Sequence, residues 1–417
     1  VQKQKTIYLD HAATTPVDEK VLKVMQPFFS AHFGNPSALY SASVKANEAL
    51  NDARRSIAEV LNTQPDTIIF TSGGTESDNL AIFGIANSPL EGGVGGVMNE
   101  ALKPHTHLPP SREESATTKK HIISIGIEHP AVLEPLERLK NQGWVITYIP
   151  VDKTGLVNAS EVIKAIRPET ILISIMFANN EIGTIEPIAE IGRQLLRYRK
   201  EHNTSLPYFH TDACQAAGYL DLSVEKLHVD LMTVNSGKIY GPKGVGCLYV
   251  RRGLSLEPQQ LGGSQEKHLR AGTENIPGIV GFAKALELVH QSKQKETLRL
   301  EKLTAYFWQQ IQKKFSHVTL NGPIVGDKRL PNNLNITFPG VDGEALLIYL
   351  DSFGISCSTG SACTATTAEP SHVLKTIGLT EAQIKSTIRF SLGKTTSKQD
   401  IDYTIRALTN LLPKLRS

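Results

Sequence analysis

The chain has 417 residues, 40% hydrophobic and 20% charged, with 44 basic against 41 acidic side chains. That length supports two cores, and a net charge of +3 gives no electrostatic reason to expect a nucleic acid or an anionic membrane as partner. Four cysteines, Cys214, Cys247, Cys357 and Cys363, are too few and too unevenly spaced for a disulfide framework or a CxxC-type zinc site.

The chain passes from polar residues straight into the strand-like Thr6-Ile-Tyr-Leu9, without the apolar segment of a secretory signal, which predicts a cytoplasmic protein. No apolar run approaches the ~20 residues that span a bilayer. From about 44 to 250, helical periodicity alternates with β-branched runs at 67–71, 121–125, 144–148, 170–175 and 231–234. The alternation predicts an α/β fold with a mostly parallel sheet covered on both faces, and a ligand at the carboxyl ends of its strands. The stretch 87–120 breaks the pattern with Gly92-Gly-Val-Gly-Gly96 and several prolines, and reads as an exposed insertion. His105 and His107 within it lack the further ligands that a metal site needs. After about 260 come long amphipathic helices over 279–315, a strand at 335–338, a helix at 343–350 and a strand at 387–391, the pattern of a smaller α+β domain.

Four segments carry chemistry. After the run at 67–71 comes Ser72-Gly-Gly-Thr-Glu-Ser77 and then a helix. Two glycines admit a close anion and a new helix offers unpaired N–H groups, although Ser72 or Thr75 acting only as a cap is an equal reading. Tyr208-Phe-His-Thr-Asp212 is a strand ending in a carboxylate, which either caps the next helix or pairs with a protonated pyridine nitrogen. Leu231-Met-Thr-Val-Asn-Ser-Gly-Lys238 ends a strand on a lysine, and desolvation there would release the proton that Schiff-base chemistry requires. Last, Ser356-Cys-Ser-Thr-Gly-Ser-Ala-Cys363-Thr-Ala-Thr-Thr lacks the bulky apolar residues that would bury a thiol, and reads as a mobile polar loop fit for a nucleophile serving two partners.

Together with Tyr8-Leu-Asp-His-Ala-Ala-Thr-Thr-Pro16, Gly34-Asn-Pro-Ser37, Glu128-His129, Asn179-Asn-Glu-Ile-Gly183, Lys238-Ile-Tyr-Gly-Pro-Lys-Gly244 and Arg270-Ala-Gly-Thr273, these segments resemble the cysteine desulfurases of the class V aminotransferase superfamily, nearly end to end. Gly360-Ser-Ala-Cys363 is similar to the group with the longer cysteine loop. The resemblance implies a fold-type-I pyridoxal 5′-phosphate (PLP) enzyme, with a large domain over 15–260 and a small domain formed by 1–14 and 261–417. It also implies a homodimer, in which Thr273 reaches the phosphate of the neighbouring subunit.

By the same resemblance Lys238 holds the cofactor and moves the substrate Cα proton, while His129 stacks on the pyridine ring and serves in proton transfer. Asp212 pairs with the ring nitrogen, Gln215 and Asn180 serve the ring hydroxyl and its surroundings, and Gly74, Thr75, Asn235 and Ser236 hold the phosphate. Arg389, a charge inside an apolar strand, fits a clamp on the substrate carboxylate, with a structural ion pair as its alternative. L-cysteine becomes L-alanine, its sulfur passing to Cys363 as a persulfide and then to a scaffold or carrier protein for iron–sulfur assembly or thiolation. A selenocysteine lyase or another class V enzyme is the rival reading. One departure stands out: relatives usually carry Ser-Gly-His before the lysine, whereas this chain has Asn235-Ser-Gly237. Ser236 and Asn235 are therefore expected to replace the missing imidazole.

Overall fold

The computed structural model describes residues 6–88, 120–359 and 370–416. Its centre is a seven-stranded sheet in the order Ile68–Thr71, Gly246–Val250, Leu231–Asn235, Tyr208–Asp212, Thr170–Ser174, His121–Ile125, Val145–Ile149. Gly246–Val250 is antiparallel to both its neighbours, and the other pairs are parallel. Most of these strands are buried throughout, as a sheet covered on both faces requires. One apolar cluster covers one face, with Ile123, Ile173, Phe209 and Met232. A second, with Ile69, Ile122, Leu172 and Leu248, covers the other.

The expected strands lie within a residue or two of their predicted bounds. Gly246–Val250 was not foreseen, because Gly-Cys-Leu-Tyr-Val comes after a turn-rich stretch and looks like the tail of the lysine motif. It is nevertheless the strand that joins Ile68–Thr71 to the rest of the sheet.

A third core lies around a three-stranded antiparallel sheet, Thr387–Ser391, Asn333–Thr337 and Thr319–Leu320. Ile7 and Leu9 pack into this core, and Ile7–Tyr8 pairs in parallel with Ile355–Ser356. The 39-residue helix Ile276–Lys314 joins the two regions. Its first turns place Ile279, Phe282 and Leu286 in the large-sheet core, and its later turns place Leu300, Phe307 and Ile311 in the small one. The packing thus changes partners about halfway along the helix, some 30 residues past the expected boundary at 260. None of the described helices is long and apolar enough to cross a membrane. Most of the 87–120 insertion, residues 89–119 with His105 and His107, lies outside the described residues. Its two flanks meet, since Lys120 Nζ donates to the Ala86 carbonyl at 3.3 Å.

Candidate active site

The carboxyl ends of the strands open onto a cavity of about 280 Å³ lined by Ala13, Thr14, Ser72, Gly73, Gly74, Thr75, Glu76, Asn235, Gly237, Lys238, Lys243 and Gly244. Strand Ile68–Thr71 enters it and helix Gly74–Asn87 leaves it, with Gly73 at the N-cap and no side chain capping the helix. The capping roles considered for Ser72 and Thr75 are therefore absent. Instead the Ser72 N–H donates to Glu76 Oε2 at 2.8 Å, and the first-turn N–H groups face the cavity as anion donors. Gly73 has φ +151, outside the range of most side chains. A Cβ on Gly74 would lie 2.9 Å from Cys214 Sγ, so the second glycine is required by the thiol beneath the cradle.

Lys238 is half-buried at the far wall and donates through Nζ to the carbonyls of Ala12, at 3.1 Å, and Ala13. Gln215 Nε2 donates to the same Ala12 carbonyl at 2.9 Å. The N-terminal segment is laced onto the lysine turn, Thr15 N to the Gly237 carbonyl at 3.0 Å and Tyr240 N to Thr15 Oγ1 at 2.7 Å. This use of Ala12 to Thr15 was missed, because backbone carbonyls leave no mark in a sequence.

Asp212 is buried, and its Oδ1 accepts from the Cys214 N–H at 2.8 Å. Two further acids lie close by. Burial, reinforced by the charge of Asp212, pushes the carboxyls of Asp78 and Glu128 well above the usual range. Glu128 Oε1 accepts from Met176 N at 2.6 Å. Within the sheet, His210 of strand Tyr208–Asp212 bridges the flanking strands through Ser174 Oγ at 2.9 Å and Thr233 Oγ1 at 3.1 Å. Burial lowers its imidazole to about 4, so it is neutral at pH 7. Nothing in the sequence marked this layer as more than strand polarity.

His129 stands at the N-cap of helix Pro130–Asn141, its Nδ1 accepting from Ala131 N at 3.1 Å. That bond leaves the proton of the neutral ring on Nε2. Burial lowers the imidazole, with Asp212 raising and Lys238 lowering it.

Arg389 is 1% exposed. Its Nη2 donates to Asp10 Oδ1 at 2.7 Å, and its Nη1 to the Asn180 carbonyl at 3.1 Å. The structural ion pair is thus present, and a substrate carboxylate at Arg389 would share the guanidinium with Asp10. Asn180 itself is half-buried beside it.

Two expected phosphate residues differ in position. Asn235 lines the cavity and braces the turn, its Oδ1 accepting from Gly237 N at 3.1 Å. Ser236 does not line it: the residue is fully buried, and its hydroxyl presses on Gly241, where a Cβ would lie 2.0 Å from Oγ. The tight turn rotates adjacent side chains to opposite sides, so Asn235 and Gly237 face the cradle and Ser236 faces away. Thr273 is exposed and lies outside the cavity of its own chain.

Cys363 lies outside the described residues, but both flanks of its segment are tied to the site. Ser358 N donates to the Arg389 carbonyl at 3.1 Å, and Arg389 N to the Ser358 carbonyl at 2.6 Å. Beyond it, Ser371 Oγ donates to Glu181 Oε2 at 2.6 Å, and His372 Nε2 lies 2.8 Å from the Glu128 carbonyl.

The model of the family described as aminotransferase class-V matches residues 7–100 and 107–404. A relative from Dictyoglomus turgidum named cysteine desulfurase IscS is 44% identical over 414 residues, covering 99% of this chain and 96% of that protein. This chain is a class V aminotransferase family member of the cysteine desulfurase group. Among solved structures, a NifS-like protein superposes with a TM-score of 0.85 at 33% identity, over 99% of this chain and 100% of that one. A structure described as SspA in complex with cysteine gives 0.74 at 37% identity, over 93% and 99%. Desulfurase-type chemistry therefore frames the cavity, and its parts fit a PLP cofactor: an uncapped helix start and paired glycines for the phosphate and a lysine at the wall, with the buried carboxylate of Asp212 at the end of a neighbouring strand.

Proposed function

We propose that this chain is a PLP-dependent cysteine desulfurase that moves the sulfur of L-cysteine onto Cys363 and releases L-alanine. The observation that carries the reading is that Lys238, Asp212 and His129 all sit at or just past the carboxyl ends of strands of one sheet, Leu231–Asn235, Tyr208–Asp212 and His121–Ile125, beside an uncapped helix N-terminus. When bound there, PLP supplies an electron sink for the charge that develops at the substrate Cα.

The residues divide the remaining work. Gly74, Thr75 and Asn235 hold the phosphate, and Asp212 pairs with the pyridine nitrogen. His129 would hold the face of the ring, and Gln215, now bonded to the Ala12 carbonyl, would be the donor for the ring hydroxyl. Lys238 takes the Cα proton and returns it, a role that suits an amine half-shielded from water. Arg389 and Asn180 orient the substrate carboxylate. The Cys363 thiolate attacks the substrate sulfur, a sulfur–sulfur bond forms as the Cβ–S bond breaks, and Cβ is protonated to give alanine.

Cys363 follows Ser358 by five residues in the sequence, and Ser358 is bonded through its backbone to Arg389. The described cysteines are poor alternatives. Burial raises the thiols of Cys214 and Cys247, and pushes Cys357 up to about 12. Cysteine in the solved SspA complex supports the substrate.

The enzyme works as a homodimer, with Thr273 completing the partner's phosphate site. Phe29, Phe33, Leu39 and Tyr40 are all exposed, an apolar group suited to a second copy. The persulfide goes to a scaffold or carrier protein in the cytoplasm. The test is to add PLP and L-cysteine to the purified chain: visible absorbance that borohydride abolishes, with alanine formed in step with sulfide, is expected. No absorbance and no alanine would end the reading.

A further inference from the structure

We propose that Lys243 is a phosphate ligand of the cradle, supplying the positive charge that its other wall residues do not; the inference rests on the PLP reading above. A phosphate monoester carries about −1.5 to −2 charges at neutral pH, and helix N–H groups supply only partial charge against it. Among the described residues, three charged side chains line the cavity: Glu76, Lys238 and Lys243.

Glu76 is neutralised from outside. Its Oε1 accepts from Arg270 Nε at 3.0 Å and its Oε2 from the Ser72 N–H at 2.8 Å, so Arg270 is occupied by the carboxylate. Lys238 is turned to the Ala12 and Ala13 carbonyls, and its chemistry requires a nitrogen that gives up its charge. Lys243 remains. It is exposed at the cavity rim, and among the described residues its only hydrogen-bond partner is the Thr15 carbonyl, at a long 3.4 Å.

Gly237 explains how the stem of Lys243 fits. A Cβ built on Gly237 would meet Lys243 Cγ at 3.5 Å, with Asn235 Oδ1 next at 3.7 Å. The aliphatic stem thus lies across the glycine and forms the stretch of wall where a side chain at 237 would otherwise stand. The ammonium need only leave a weak carbonyl contact to face an anion. Lys243 and Gly237 therefore act as a pair, the glycine giving room and the lysine giving charge.

The experiment compares PLP with pyridoxal, which has the same ring and aldehyde but no phosphate. Dissociation constants for both are measured on apo-protein by absorbance titration, for the wild type, Lys243→Met and Lys243→Arg. Loss of a charge-assisted hydrogen bond predicts that Lys243→Met weakens PLP by about ten- to a hundredfold and leaves pyridoxal unchanged. Lys243→Arg keeps most of the preference, and raising the salt narrows the gap between wild type and Lys243→Met. Lys243→Met that binds PLP as the wild type does overturns the proposal, and so does equal weakening of both ligands, since that marks a structural role. A wild type that binds neither ligand sinks the PLP reading itself, a result distinct from either.

Discussion

Glu266→Gln tests how the cradle is braced. Glu266 is 6% exposed and accepts from Arg54 Nη1 at 2.8 Å, Arg54 Nη2 at 2.6 Å and Phe70 N at 2.8 Å. Arg54 also donates to the Ile68 carbonyl at 2.6 Å. The clamp ties the strand that feeds the cradle to Glu266, Lys267 and His268, whose φ values of 43, 59 and 65 are left-handed. Such residues cost of order 1–3 kcal/mol each, so the segment keeps its shape only while it is held. It leads directly into Arg270, the partner of Glu76.

Glutamine keeps the volume but removes the charge, and turns an amide donor toward a guanidinium donor. Breaking one side of a buried pair costs about 3–5 kcal/mol. Unfolding entropy of ~2.1 cal/mol/K per residue over 417 residues gives about 0.9 kcal/mol/K, so Tm should fall by about 3–6 °C. Arg54→Met with Glu266→Leu should recover much of the loss, because no buried charge is left alone. It should still trail the wild type by about 1–3 kcal/mol for the orphaned Phe70 N–H. Thermal denaturation of the three proteins is the assay. A Glu266→Gln midpoint within about 1 °C of wild type, or a double variant worse than the single one, refutes the reasoning.

Cys363→Ser should bind PLP and cysteine yet release almost no sulfide. Cys357 should not rescue it, since a thiol at about 12 is roughly one part in 10⁵ thiolate at pH 7; near-normal desulfuration by the variant would remove Cys363 from the mechanism. Deleting 89–119 should leave alanine production nearly intact, because Lys120 and Ala86 already meet across its base and loop length affects stability weakly. A large loss of alanine would refute that. Glu186 is buried, and burial raises its carboxyl from 4.5 to about 8. The folded value exceeds the unfolded one, so the native state holds a proton that the unfolded chain releases. Stability from this group is full below about pH 4.5 and falls as pH rises toward 8. Glu186→Gln should therefore stabilise the protein at pH 8 but not at pH 4, as read from denaturant midpoints at the two pH values; a pH-independent effect would contradict it.

Much of the site was legible in the sequence because its chemistry sits next to strand ends. Apolar runs located six of the seven strands of the large sheet, and in a parallel sheet the residue after a strand already has a known edge. Gly73, Gly74, Asp212 and Lys238 could be ranked on that ground alone. The side-chain direction within a tight turn was not legible. Asn235-Ser-Gly237 offered two polar residues of equal promise, and only the backbone geometry sent Ser236 toward Gly241 and Asn235 toward the cradle.

What the sequence determined by itself is local: periodicity for the elements, small residues where an anion approaches, and a motif order that assigns the family. The tertiary structure decided what depends on distant segments meeting. Arg389 and Asp10 are 379 positions apart and still form an ion pair. The Ala12 and Ala13 carbonyls receive Lys238, and the burial that raises Asp78 and Glu128 comes from the surrounding sheet and helices. Lys243 belongs to this second class, since its charge was visible in the chain but its place over Gly237 required the turn to close. Propensity and spacing act over a few residues, whereas desolvation and charge pairing act through space, and so those terms become fixed only when the chain folds.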